Sequence, residues 1–352
     1  MDVSCHHNET IAFFYRNSNK PLYDEWSFTS TLVMVLGLTL CLGIILANAL
    51  VMFAVYINKT LHHPVYFLMA NLAAADLFAG VAYIYLVVNT GPNTRKLSLE
   101  TWMLRQGLIN TSLTASVASL LVIAIERHVA LFRMQRMSER RVVTVVAIIW
   151  LVAIIAGAMP TMGWNCVCDV GTCSTMAPLY SASYVAFWAG YNLSMFLIMA
   201  GLYGHIFVNM WRDRIPVLQN SSRCSRRQDA PVSLLVTVTI MLGKRCGSPL
   251  LCWTPGLVIL LLDSFCSDCN VLAFEKYFLL IAELNSAMNP IIYSFRDTEM
   301  IATFKRILSC RKAGCVAASG SEKSISTSNP NLVTEIGHVT TASAMKMNQI
   351  VI

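Results

Sequence analysis

The chain has 352 residues, 56% of them hydrophobic and only 13% charged. Charged residues make up about a quarter of an ordinary soluble protein, so a fully water-exposed fold is excluded and lipid is the expected solvent for much of the chain. The net charge of +7 would suit nucleic acid. The basic residues stand in short connections between apolar runs, however, which points to membrane orientation and to no nucleic-acid partner.

A bilayer core takes roughly 20 apolar residues as a helix. Seven segments meet that measure, at about 31–57, 65–90, 105–132, 142–160, 178–209, 231–262 and 272–294. In lipid the backbone must satisfy its own hydrogen bonds, so these segments are helices and the fold is an all-α, seven-helix membrane bundle. No secretory leader is visible, and the first segment is long enough to serve as its own insertion signal. Cations set the direction. Lys59, His62 and His63 follow the first helix, Arg133, Arg136, Arg140 and Arg141 the third, and Arg212, Arg214, Arg223, Arg226 and Arg227 the fifth. Lys305, Arg306, Arg311 and Lys312 follow the seventh. Those connections are cytoplasmic, and the N-terminus lies outside a multi-pass plasma-membrane protein. Arg95 and Lys96 in the second connection are a minor exception. The expected organisation is an outer tail over residues 1–30 and a bundle over 31–295. A membrane-surface helix follows over 296–310, and then a disordered Ser/Thr-rich tail over 311–352.

In the outer tail, Asn8-Glu9-Thr10 is a glycosylation acceptor on the correct side. Asn110-Thr111-Ser112 has the same form but lies inside the third helix and is discounted. An ionisable residue at mid-membrane is costly and marks a functional position. Asp76 of the second helix is one, and Asn48, Ser116, Asn285 and Asn289 lie at comparable depth. Together they form either a polar cage for a small cation such as sodium or an interhelical hydrogen-bond network. Glu126-Arg127-His128 ends the third helix, Cys252-Trp253-Thr254-Pro255 interrupts the sixth with a proline kink, and Asn289-Pro290-Ile-Ile-Tyr293 ends the seventh.

On these three motifs, residues 31 to 310 resemble the rhodopsin-like G-protein-coupled receptors. The resemblance implies a two-state switch. Arg127 pairs with Glu126 at rest and turns toward Tyr203 and Tyr293 when the sixth helix swings out, admitting a Gα subunit of the Gi, Gq or related classes. His128 stands where tyrosine is commoner.

The third-helix position of the usual family disulfide is Trp102, so that bond is absent. Cysteines instead stand at Cys5, at Cys166, Cys168 and Cys173, and at Cys266 and Cys269. With Asn89-Thr-Gly-Pro92, Leu104-Arg105-Gln106-Gly107-Leu108, Met162-Gly-Trp-Asn165 and Ala177-Pro-Leu-Tyr180, this pattern resembles the lysophosphatidic acid receptors of the endothelial differentiation gene group. Sequence alone leaves connectivity open. The resemblance implies Cys5–Cys168, Cys166–Cys173 and Cys266–Cys269, the first folding the tail over the pocket as a lid. It further implies a phosphate site of Arg105, one turn inside the third helix, Lys276 with Glu275 at the seventh, and Lys20 and Tyr15 from the lid. Three cations facing a dianion make chemical sense. Gln106, a neutral amide, suits a hydroxyl and offers no countercharge to the ammonium of sphingosine 1-phosphate. The acyl chain is expected among Leu113, Trp188, Trp253, Gly256 and Leu257, the competing reading being ordinary helix packing.

Three departures matter. Asn110 replaces a common aspartate one turn below Gln106, and the loop Arg133 to Arg141 is about three residues short. The sixth helix reads Leu242-Gly-Lys244-Arg245-Cys-Gly-Ser-Pro249-Leu250 where an apolar run is expected, either a true insertion of about four residues or a gene-model error at an exon boundary. Past the bundle, Met300, Ile301, Phe304, Ile307 and Leu308 share one face of an amphipathic helix, followed by a palmitoylation candidate, Cys310, and a weaker one, Cys315. Ser321, Ser324, Ser326, Thr327 and Ser328 are candidate phosphosites for recruiting arrestin, and Ile350-Val351-Ile352 is a candidate PDZ ligand. A retinal-type pump is disfavoured because no lysine lies between Lys276 and Lys305. A membrane enzyme is disfavoured because no metal-spaced or nucleophilic cluster gathers at one depth. A receptor for another lipid, sphingosine 1-phosphate or an endocannabinoid, remains as the alternative.

Overall fold

A computed structural model describes residues 5–135, 137–212, 253–266, 269, 271–274, 281, 284–291 and 297–312. Its helices are α1 (Ile11–Asn17), α2 (Phe28–Ile57), α3 (Pro64–Val88), α4 (Leu99–Arg133), α5 (Glu139–Ala158), α6 (Ala182–Arg212), α7 (Trp253–Phe265), α8 (residues 284–291) and α9 (Thr298–Lys312). Among the described residues α2 to α6 are each long and apolar enough to cross a membrane. They carry the first five predicted segments, and α7 and α8 belong to the last two. Leu36, Leu46, Leu151 and Leu197 point outward and are more than half exposed. Such a girdle would be a liability in water and is ordinary against lipid.

Local chemistry explains the boundaries. α4 begins six residues before the expected start, because Ser98 caps it by accepting from the Thr101 amide at 3.2 Å. Glu100, Arg105 and Gln106 lower the local hydropathy without breaking the helix. Arg105 and Gln106 therefore stand nearly two turns inside α4, not one. α6 begins at Ala182, because residues 178–181 belong to the outer loop, where Asn165 bridges Tyr180 and Cys173 bridges Ser181. Near the other end of the chain, α9 is capped by Asp297, whose carboxylate accepts from the amides of Glu299 and Met300 at 3.1 and 3.0 Å. Tyr66 of α3 donates to the same carboxylate at 2.7 Å, and Met300 and Phe304 pack on the inner ends of α2 and α3.

α4 is the central post, packed on α3, α5 and α6. Its crossing with α5 is a backbone contact. A Cβ at Gly157 would stand 2.1 Å from Thr111 Oγ1 and 2.6 Å from the Gly107 carbonyl oxygen, so glycine is required there. The outermost layer is the lid. α1 turns Ile11, Phe14 and Tyr15 into the apolar cluster that contains Trp102 and Tyr180. The Cys5–Cys168 disulfide ties its start to the outer loop, which is itself closed by Cys166–Cys173. Cys266 pairs with Cys269 beyond α7.

Candidate ligand-binding site

A cavity of about 340 Å³ opens beneath the lid, between α1, the outer loop and α2, α3, α4, α6 and α7. Tyr15, Lys20, Arg105, Gln106, Asn110, Leu113, Trp188, Trp253, Gly256 and Leu257 all line it. Glu275 and Lys276 lie outside the described residues.

The polar end is built around Arg105, which is 4% exposed. Its Nη1 donates to the Asn89 carbonyl oxygen at 2.5 Å, and its Nε has no hydrogen-bond partner among the described residues. A guanidinium has five donors, so this one keeps hydrogens for an anion. Lys20 lines the same end, 5.8 Å from the centre of the Tyr15 ring, and its Nζ donates to the Met176 carbonyl oxygen at 2.6 Å. It therefore fastens the lid to the outer loop as well as facing the cavity. Among the described lining residues the charged side chains are Lys20 and Arg105, and there is no carboxylate. The apolar end holds Leu113, Leu257 and two tryptophans, of which Trp188 donates to Thr114 Oγ1 at 3.1 Å.

Asn110 is turned toward α6. Its amide donates to the Tyr184 hydroxyl at 3.0 Å, and that hydroxyl donates to the Ala156 carbonyl oxygen at 2.8 Å. It thus joins α4 to α6 and α5, a contact the sequence did not announce. Trp102, Tyr180 and Asp263 were not foreseen as site residues. Tyr180 donates to the Met103 carbonyl oxygen at 3.3 Å, and burial holds its phenol well above its ordinary pKa, so it stays neutral. Asp263, on α7, accepts from Ser174 Oγ at 2.5 Å and from the Met176 amide at 3.2 Å, which anchors the outer loop to that helix. The signal for Tyr180 was present in Ala177-Pro-Leu-Tyr180. Nothing local marks Asp263, because its partners lie almost ninety residues away.

Deeper in the bundle Asp76 is fully buried and accepts three hydrogen bonds, from Ser116 at 2.8 Å, Ser286 at 2.9 Å and Asn289 at 2.7 Å. Asn48 donates to the Ser286 carbonyl oxygen at 3.2 Å, while the Asn285 amide makes no hydrogen bond among the described residues. These contacts are those of an interhelical network, with Ser286 an unforeseen member. The serine hydroxyls can also turn lone pairs inward, so the same residues suit a small hard cation. At the inner end, Arg127 Nε stands 3.9 Å from Glu126 Oε2, and Tyr203 and Pro290 are buried. His128 Nε2 and His205 Nδ1 are 3.0 Å apart and join α4 to α6. Tyr293, Lys244, Arg245, Pro249, the Cys310 side chain and the C-terminal motifs lie outside the described residues.

Five apolar spans and two further helices around a lidded outer cavity, with the Arg127–Glu126 pair at the inner end, have the architecture of a helical membrane bundle. The sequence profile of the 7 transmembrane receptor (rhodopsin family) matches residues 47–293. Lysophosphatidic acid receptor 1-A of Xenopus laevis is 57% identical over 94% of this chain and 91% of its own length. Lysophosphatidic acid receptor 1 of Homo sapiens is 56% identical over 94% and 92%. Lysophosphatidic acid receptor 3 of Mus musculus is 45% identical over 87% of each. The chain belongs to the rhodopsin family of seven-transmembrane receptors, within its lysophosphatidic acid receptor group, and is a receptor and not an enzyme.

Proposed function

We propose that this chain is a plasma-membrane receptor that converts binding of extracellular lysophosphatidic acid into activation of heterotrimeric G proteins of the Gi, Gq or related classes. The observation that carries the reading is the charge of the cavity. Arg105 and Lys20 stand at one end of an otherwise apolar volume, with no carboxylate among its described lining. A phosphate monoester brings about −1.5 to −2 charges near neutrality, which two or three cations can balance. An ammonium in the same place would face two cations with no countercharge among the described lining and would lose several kcal/mol. The neutral Gln106 offers a donor and an acceptor to a glycerol hydroxyl. Leu113, Trp188, Trp253, Gly256 and Leu257 take the acyl chain, at roughly 0.8 kcal/mol for each buried methylene.

On this reading the N-terminus is extracellular and Asn8, which is exposed, is glycosylated. The outer tail serves as the lid, and Lys276 supplies the third cation for the phosphate. Arg127, Glu126, Tyr203 and Tyr293 form the inner switch, with Asp76 and its partners as the polar relay. Cys310 carries a palmitate, phosphorylation of the tail recruits arrestin, and the C-terminus offers a PDZ ligand. The test is expression in cells that lack lysophospholipid receptors, both as this chain and as a copy without the four extra residues before Pro249. Lysophosphatidic acid should activate Gα and sphingosine 1-phosphate should not. A response to sphingosine 1-phosphate alone would sink the assignment.

A further inference from the structure

Trp102 occupies the position from which the rhodopsin-like family usually sends a disulfide to the outer loop, and it is 1% exposed. Three elements meet on its indole. The N–H donates to the Tyr15 hydroxyl of α1 at 3.2 Å. Tyr180 of the outer loop packs edge-on, with ring centres 5.4 Å apart. The guanidinium of Arg105, three residues along α4, lies over the ring at 5.4 Å from its centre.

The hydrogen count gives this cluster a direction. An indole nitrogen only donates, and a phenol oxygen carries a single hydrogen. Because Trp102 supplies the hydrogen between the two rings, the hydrogen of Tyr15 cannot lie along that contact. It is left for the cavity that Tyr15 lines. The indole also braces Arg105 through a cation–π contact while Asn89 holds one end of its fork. We propose that Trp102 is a positioning residue for the lipid phosphate, which makes Tyr15 an obligate donor toward the anion and aligns Arg105 beside it. In doing so it joins the outer loop and the lid to α4 without the missing disulfide. This inference rests on the lysophosphatidic acid reading above.

Saturation binding of labelled oleoyl-lysophosphatidic acid to the full-length receptor in membranes tests it. Trp102→Phe deletes the donor, and Trp102→3-benzothienylalanine, introduced by nonsense suppression, does so with the ring volume kept. Tyr15→Phe deletes the phenol. Tyr15→Phe should weaken binding about tenfold, the worth of one hydrogen bond to a charged group, and each Trp102 change by no more than that, since it removes a neutral hydrogen bond. The double change that pairs benzothienylalanine at Trp102 with Tyr15→Phe, which keeps a ring under Arg105, should be no weaker than Tyr15→Phe alone, because in that pair both act through the Tyr15 hydroxyl. A purely structural tryptophan would give losses that multiply. Multiplying losses, or unchanged affinity in the benzothienylalanine receptor, would overturn the proposal with the ligand reading intact. A wild-type receptor with no saturable binding overturns the ligand reading first, and this inference with it.

Discussion

At Arg105 a guanidinium almost out of water spends one nitrogen on Asn89 and keeps Nε for a ligand. On the reading proposed above, a phosphate dianion completes this charge. Arg105→Ala should therefore lower lysophosphatidic acid affinity about a hundredfold, the upper part of the range for hydrogen bonds to charged groups. Competition binding at matched surface expression checks this, and a loss under threefold would show that the phosphate sits elsewhere. Gln106 bears on selectivity rather than strength. Gln106→Glu adds an anion beside Arg105, which repels a phosphate and attracts an ammonium, so the ratio of responses should move toward sphingosine 1-phosphate. An unchanged ratio of Gα activation by the two lipids would mean that Gln106 does not read the headgroup.

Among elements, the crossing of α4 and α5 depends on the absence of side chains at Gly107 and Gly157. Gly157→Ala places a methyl where Thr111 and the Gly107 carbonyl already stand, so the helices must part. Overpacking of this kind costs about 1–3 kcal/mol, and the melting temperature in detergent should fall by a few degrees. Gly190→Ala on α6 is the control, since a Cβ there meets nothing within 4 Å. Equal effects at the two sites would remove the argument. Neither glycine was legible as a contact, because a helix crossing sets no local pattern. The spans themselves were legible, since twenty apolar residues in a row leave the chain little choice. The first six residues of α4 were not, because hydropathy undervalues Glu100 while the Ser98 cap extends the helix over it. α1 was also invisible. Its seven residues are far below the length at which a helix stands alone, and packing of Ile11, Phe14 and Tyr15 holds it.

Across the whole molecule, the cavity residues could be named from the sequence because family motifs carry them. The mechanical route between them could not, because it runs through pairs far apart in the chain. That route starts at α1, where the Cys5–Cys168 disulfide, the His6 amide on the Val167 carbonyl at 3.0 Å and Lys20 on Met176 bind the lid to the outer loop. It continues through Ser174 and Met176 to Asp263 of α7. On the reading proposed above, a lid tethered in this way is a covalently attached second partner for the ligand, present at high effective concentration. Cutting the tether should act on departure more than on arrival, because lost contacts of a bound complex appear chiefly in the dissociation rate. The paired change Cys5→Ser with Cys168→Ser leaves Cys166–Cys173 in place. It should speed dissociation of labelled lysophosphatidic acid about tenfold, with association changed much less. Dissociation followed after excess unlabelled lipid measures the first, and the approach to binding at several concentrations measures the second. Equal dissociation rates in the paired variant and the wild type would show that the hydrogen bonds of α1 hold the lid without the disulfide, and that the tether is not what retains the ligand.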